Sequence, residues 1–297
     1  LVDLRNPNPA GNNVNMSAAL VLRNVAGSPL AGRNAVEEAN MLTPNLVTLW
    51  IGNNDVLGAM LAGVAADGVT LTPRAAFSAK YTEVITGLRA SGRTLVVLNI
   101  PDVGALPFAT TVPPVVVNPT TRQPVLVGGN PVPLLGSRTS ATCPTAPCPI
   151  PANTLVTLQA IQLLNMGIGI PTALGGTGQP LPDGSFVPPG TLNTGVLLYA
   201  DEVAAIRART DELNAEIAAA ASANGAILVD THALFDEVLT HGLDFGAIEL
   251  GAEFLTGGLF SADGVHPNNI GHAVIADEII QALNEARDLD IPRPNIA

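Results

Sequence analysis

The sequence predicts an α/β fold, a three-layer αβα sandwich around a parallel sheet. Three observations point there. Two short apolar runs with β-branched content, 45–51 and 94–100, end directly in polar or turn residues, as buried parallel strands do. The stretch between them has one apolar face at helical spacing. Strand, helix, strand makes a βαβ unit, which requires a parallel sheet and a right-handed crossover. A third strand-like run, 226–230, follows a second long helical pattern.

In chain order, Asn34 followed by Glu37 has the spacing of a capping box and marks a short helix start. Asn45-Leu-Val-Thr-Leu-Trp-Ile51 is the first strand and opens into Gly52-Asn-Asn-Asp55. Thr72-Pro73 begins a helix in which Phe77, Tyr81, Val84, Ile85 and Leu88 recur at helical spacing, with Gly92 as its expected stop. Thr94-Leu-Val-Val-Leu-Asn-Ile100 is the second strand. Regular structure resumes at Asp201, where Val203, Ile206, Thr210, Leu213 and Ile217 trace one helix face that Gly225 ends. Ala226-Ile-Leu-Val-Asp230 is the third strand. A last helix is expected from about Asn269 to Arg287, with Ile270, Val274, Ile279, Ile280 and Leu283 as its inner stripe.

Between the second strand and the 201 helix the order breaks down. Of 25 prolines, 17 fall between Pro101 and Pro189, and only Asp102, Arg122, Arg138 and Asp183 are charged between 101 and 200. That is too long for an ordinary loop. It reads as a Pro-rich insertion at about 103–198, with turns and short strands, in a single domain spanning 1–297. It either packs over one edge of the sheet or forms a lid or apolar wall beside the active site.

Composition excludes several function classes. The chain is 47% hydrophobic and 13% charged, and Lys80 is its only lysine. A formal charge of −12 leaves no basic patch to neutralise phosphates, which argues against a nucleic-acid partner. No apolar run has the length of a membrane span. Cys143 and Cys148, in Thr142-Cys-Pro-Thr-Ala-Pro-Cys-Pro149, either close a short disulfide loop in an oxidising compartment or remain free thiols. They are too few for a zinc site.

Two clusters carry chemistry. Gly52-Asn53-Asn54-Asp55 follows a strand, and ligands of open α/β sheets bind just beyond strand C-termini. An uncharged amide there can donate to a developing oxyanion. A polar turn would have the same composition. The second cluster is Ser261-Ala-Asp263-Gly-Val-His266-Pro267, in a loop before a helix. A carboxylate three residues from an imidazole can hold one ring nitrogen and leave the other to act as a base. The plainer reading makes Asp263 a turn cap and His266 a surface residue. His232, His241, His272 and Asp102 read as structural: a packed loop histidine, a histidine without a sequence partner, a helix histidine and a turn former.

Together the clusters resemble the SGNH, or GDSL, hydrolase family. Gly52-x-Asn54-Asp55 resembles its third block and Asp263-x-x-His266 its fifth, in the correct order. Thr48-Leu-Trp-Ile-Gly-Asn-Asn-Asp-Val-Leu-Gly58, Asn99-Ile-Pro-Asp-Val103, Ala223-Asn-Gly-Ala-Ile-Leu-Val-Asp230 and Gly257-Gly-Leu-Phe-Ser-Ala-Asp-Gly-Val-His-Pro267 are similar to a bacterial branch of exported, often lipoprotein, GDSL esterases. The resemblance implies a flavodoxin-like sandwich and a carboxylic-ester hydrolase using a Ser-His-Asp mechanism without cofactor or metal. His266 would be the general base, Asp263 its orienting carboxylate and Asn54 an oxyanion-hole donor, with Gly52 and Asp55 supporting the loop. The partner would be a small-molecule, lipid or acylated-sugar ester, and the location extracytoplasmic.

The family's first block, Gly-[Asp/Asn]-Ser-Leu, does not occur. Ser17, Ser28 and Ser185 have the wrong neighbours, and the second-block glycine is unassigned, Gly27 being a weak candidate. With Leu1 rather than Met at position 1, the expectation is a chain that lacks the first strands and the nucleophile. Two alternatives remain: a non-catalytic exported binding module on the same fold, and a metal-dependent phosphoesterase suggested by the Gly-Asn-Asn-Asp loop.

Overall fold

The computed structural model describes residues 33–90, 92–187, 191–245 and 248–296. The strand-forming runs pair as their apolar content requires. Strands β1 (Leu46–Trp50) and β2 (Thr94–Leu98) are parallel, with Leu46 opposite Thr94 and Trp50 opposite Leu98. β3 (Ile227–Val229) pairs parallel to the other side of β2, with Val229 opposite Leu98. The spatial order is β1–β2–β3. Among the described residues, β1 is paired on one side only, and Leu46 at its start is 44% exposed.

Leu95, Val96, Val97 and Leu98 of β2 are each 4% exposed or less, so both faces of the central strand are covered. That burial explains why this strand reads as a continuous apolar run rather than an alternating one.

The helices follow the sequence with local exceptions. α1 (Ala35–Met41) starts with the anticipated reciprocal cap, Asn34 Oδ1 accepting from the Glu37 amide and Glu37 Oε2 from the Asn34 amide. α2 (Asn54–Ala62) begins inside the polar run that reads as a loop in the sequence. α3 (Arg74–Leu88) buries all five of its expected residues. It ends four residues before Gly92, because Arg89 is already extended; Gly92, at φ +75°, instead turns the chain into β2.

The short α4 (Pro107–Thr110) and α5 (Ala160–Asn165) belong to the Pro-rich segment. α6 (Ala200–Asn224) buries the predicted Val203–Ile217 face, ends at left-handed Gly225, and packs on α3 and β3. α7 (Thr231–His241) has no counterpart in the sequence reading. Asp230 caps it by accepting from the Ala233 amide, and Phe235 and Val238 are buried on it. α8 (Asn269–Arg287) has the expected bounds and packs on β3. Its inner stripe is corrected: Val274, Ile275, Asp277 and Leu283 are buried, whereas Ile270 is 38% exposed.

The Pro-rich segment has an apolar cluster of its own, around Val116, Leu134, Ile150, Val156, Leu181 and Leu197, held by short antiparallel pairs. Arg138 ties it to α6. Its guanidinium reaches Asp183 at 3.2 Å, Asp201 at 2.7 Å and Glu202 at 2.9 Å, and lies 4.0 Å from the centre of the Tyr199 ring. Cys143 and Cys148 are disulfide-bonded, with Cα atoms 5.8 Å apart, which closes the question their spacing left open.

Candidate active site

The first cluster is shaped by Gly52. It is buried at φ +115°, and a Cβ there would stand 2.8 Å from Ile100 Cδ1 and 3.2 Å from Phe77 Cε2. Only glycine combines that backbone with that space. The bend it permits carries β1 directly into α2. The Asp55 amide donates to the Gly52 carbonyl at 2.9 Å, and Asp55 is 2% exposed. The two adjacent asparagines then differ. Asn53 Oδ1 is buried and finds no hydrogen-bond partner, whereas Asn54, the first residue of α2, is exposed. Asn54 is thus the amide that faces solvent beyond a strand end, at a helix N-terminus whose dipole favours negative charge.

The second cluster is a closed loop. The Ser261 amide donates to the His266 carbonyl at 2.8 Å, the Gly264 amide donates to Ser261 at 3.0 Å, and Phe260 bridges Pro267. Inside it, Asp263 Oδ1 accepts from Ser261 Oγ at 2.7 Å and from the Val265 and His266 amides at 2.9 Å each. Asp263 Oδ2 faces His266 Nδ1 at 2.6 Å. The imidazole is 75% exposed, so its other nitrogen is open to a reactant.

Partial burial pushes the Asp263 carboxyl up. Hydrogen bonds from Ser261, from the His266 ring and from the two amides outweigh that and hold it well below the usual carboxylate range. A depressed folded-state value means the support is present at and above the ordinary carboxylate pKa and is lost as pH falls through the depressed one. The Val265 and His266 amides should therefore stay protected from hydrogen exchange at pH ~4, the ordinary aspartate range. Loss of protection already near pH ~4 would show an Asp263 that titrates normally.

Both clusters border the same stretch of chain. The helical turn Val103–Ala105, just beyond β2, touches α2 and α4. The Phe108 amide of α4 donates to the Gly264 carbonyl at 2.9 Å. A Cβ on Gly264 would lie 2.8 Å from Phe108 N and 3.0 Å from Leu158 Cδ1, so the Pro-rich segment forms part of the loop's surroundings. The helix that begins at Asn54 and the loop that carries His266 thus both contact the 103–110 stretch.

His232 and His241 both have partners on or beside α7. His232 lies on the first turn of α7 rather than in a loop, with Nδ1 3.0 Å from the Ile100 carbonyl. His241 has Glu237 one turn back at 3.3 Å, a partner the sequence reading did not find. Asp102 caps the 103–105 turn by accepting from Gly104 and pairs with Arg207 at 2.8 Å. Ser17, Ser28 and Gly27 lie outside the described residues. No group of three or more His, Cys, Asp or Glu among the described residues is placed to hold a metal ion, and no described helix is long and apolar enough to cross a membrane.

The family model described as GDSL-like Lipase/Acylhydrolase matches residues 3–279. The chain belongs to that family. Membership makes it a hydrolase of the ester-cleaving kind and accounts for a parallel sheet with helices around it. No curated protein and no solved structure matches it. For a GDSL-like acylhydrolase, the feature missed in the sequence is Ser261. Its signal was the Ser-x-Asp spacing, which favours a local side-chain bond to the carboxylate.

Proposed function

We propose that this GDSL-like acylhydrolase is a carboxylic-ester hydrolase of the Ser-His-Asp type, in which residues 1–297 supply the base, its orienting acid and one oxyanion donor. The observation that carries the reading is the 2.6 Å contact between His266 Nδ1 and Asp263 Oδ2 beneath an exposed ring. A carboxylate on Nδ1 fixes the tautomer in which Nε2 carries the lone pair. Nε2 then takes the proton of an attacking serine and returns it to the leaving alcohol, while Asp263 stabilises the imidazolium between the two steps. The Asn54 amide donates to the carbonyl oxygen as it becomes an oxyanion, without bringing a competing charge. Gly52 and Asp55 hold the bend that presents Asn54.

The nucleophile is assigned outside residues 1–297, since no Gly-[Asp/Asn]-Ser-Leu run occurs within them. The same reading makes the chain a single domain with an insertion, built as an αβα sandwich; the double-sided burial of β2 supports it. An extracytoplasmic location is supported by the Cys143–Cys148 disulfide, because such bonds persist in oxidising compartments. The substrate is a small-molecule, lipid or acylated-sugar ester.

Asn54→Ala tests the oxyanion assignment. In a chain that carries the serine block, the variant should lose ~10²–10³-fold in turnover with little change in KM, the usual loss for one donor. Steady-state hydrolysis of a short-chain ester measures it. Unchanged turnover would mean that backbone amides alone form the hole.

A further inference from the structure

We infer that Ser261 is a positioning residue: its hydroxyl fixes the rotation of the Asp263 carboxylate, so that one oxygen is held by donors and the other faces His266 Nδ1. The inference rests on the esterase reading for the meaning of His266, but its geometry stands independently. A carboxylate has two equivalent oxygens and a broad terminal torsion, so nothing intrinsic fixes the rotation at which it meets the imidazole. In this loop the decision is made by donors. Oδ1 accepts three hydrogen bonds, from Ser261 Oγ at 2.7 Å and from the Val265 and His266 amides. Oδ2 is left to the imidazole at 2.6 Å. The two amides belong to residues that follow Asp263 in its own turn. Among the described residues Ser261 Oγ is the one side-chain donor on Oδ1, and it comes from the opposite end of the loop.

The position of Ser261 does not depend on its hydroxyl. Its amide donates to the His266 carbonyl and its carbonyl accepts from Gly264, so the backbone is closed by two bonds that alanine would retain. Removing the hydroxyl therefore widens the carboxylate torsion while the loop keeps its shape. The orientation of the imidazole is then less well defined, and a displacement of about 1 Å at a reacting group can cost on the order of 10²-fold in rate. Because its proton is directed to Asp263, Ser261 is a support for the base and not the nucleophile.

The test separates this role from the esterase reading. In residues 1–297, the Nδ1 proton of His266 should give a low-field, exchange-protected proton NMR signal. The signal should broaden or vanish in Ser261→Ala and return in Ser261→Thr, which restores a hydroxyl. In the chain extended to its serine block, Ser261→Ala should lower kcat by about 10–100-fold with KM little changed, and Ser261→Thr should recover most of it. NMR changes as expected together with no hydrolysis by any extended chain would uphold the positioning role and refute the esterase reading. An Nδ1 signal and a kcat both untouched by Ser261→Ala would overturn the inference. So would a loss that Ser261→Thr fails to recover while it retains the unfolding midpoint of the unsubstituted chain, since the hydroxyl would then not be the active element.

Discussion

Replacing His266 with alanine, in a chain that carries the serine block, is expected to lower turnover on the order of 10⁶-fold, the scale seen when a triad base is removed. The size follows from the lack of a substitute. His232 and His241 lie on α7, outside the loop that holds Asp263 and His266, so neither ring shares that carboxylate. His272, on α8, is exposed and has no carboxylate partner among the described residues. Folding should be indifferent to the change. The imidazole is 75% exposed, and the His266 amide would still donate to Asp263 Oδ1. Circular dichroism and the unfolding midpoint should match the unsubstituted protein while ester hydrolysis falls to the residual level left by binding and the oxyanion hole. Turnover within tenfold of the parent would remove His266 from the mechanism.

Residues 1–297 alone should show no esterase turnover and should not react with a serine-directed phosphonate. The same chain extended upstream to a Gly-[Asp/Asn]-Ser block should label stoichiometrically. Each described serine has a competing role or a remote place. Ser78 donates to Glu216 at 2.5 Å, Ser261 to Asp263, and Ser140 lies against Thr142. Ser137 accepts from the Asp183 amide, Ser185 is paired with Asn193 in the insertion, and Ser222 is near the C-terminal end of α6. Ser17, Ser28 and Ser91 stand in Met-Ser-Ala, Gly-Ser-Pro and Ala-Ser-Gly, none of which matches the nucleophile block. Mass spectrometry of the labelled peptide gives the answer directly. A stoichiometric adduct on any serine of 1–297 would show that the nucleophile lies within it.

The parts of the fold that were legible in the sequence are those where one periodicity dominates. β2 reads as a strand because Leu95–Leu98 are buried on both faces, and α6 reads as a helix because Val203, Ile206, Thr210, Leu213 and Ile217 all face the core. α7 was invisible for the opposite reason. It buries Phe235 and Val238 as its large apolar residues and owes its start to the Asp230 cap, a local signal that a turn would also give. α2 was hidden because Gly52-Asn-Asn-Asp reads as turn chemistry, and only contact with Ile100 and Phe77 shows why the glycine is there. At the site, the spacing of Asp263 and His266 correctly anticipated their hydrogen bond. What spacing could not give was the rotation of the carboxylate, which the three donors on one oxygen fix.

The sheet also sets an order on how the chain can reach this state. β1 and β2 are joined by one helical crossover, but β2 and β3 are not; the hydrogen bond from Asn99 to Asp230 beyond their ends spans 131 positions. Closing a slack loop of ~130 residues costs about 1 kcal/mol more than closing the ~40-residue crossover between Trp50 and Thr94, all of it before the pairing returns anything. The Pro-rich segment shortens that search if it collapses first around Leu134, Ile150 and Leu197, and its Arg138 link to Asp201 and Glu202 joins it to the helix that leads into β3. With that order of events the tract beside the sheet would act as its kinetic tether, and loosening its packing should slow the docking of the third strand.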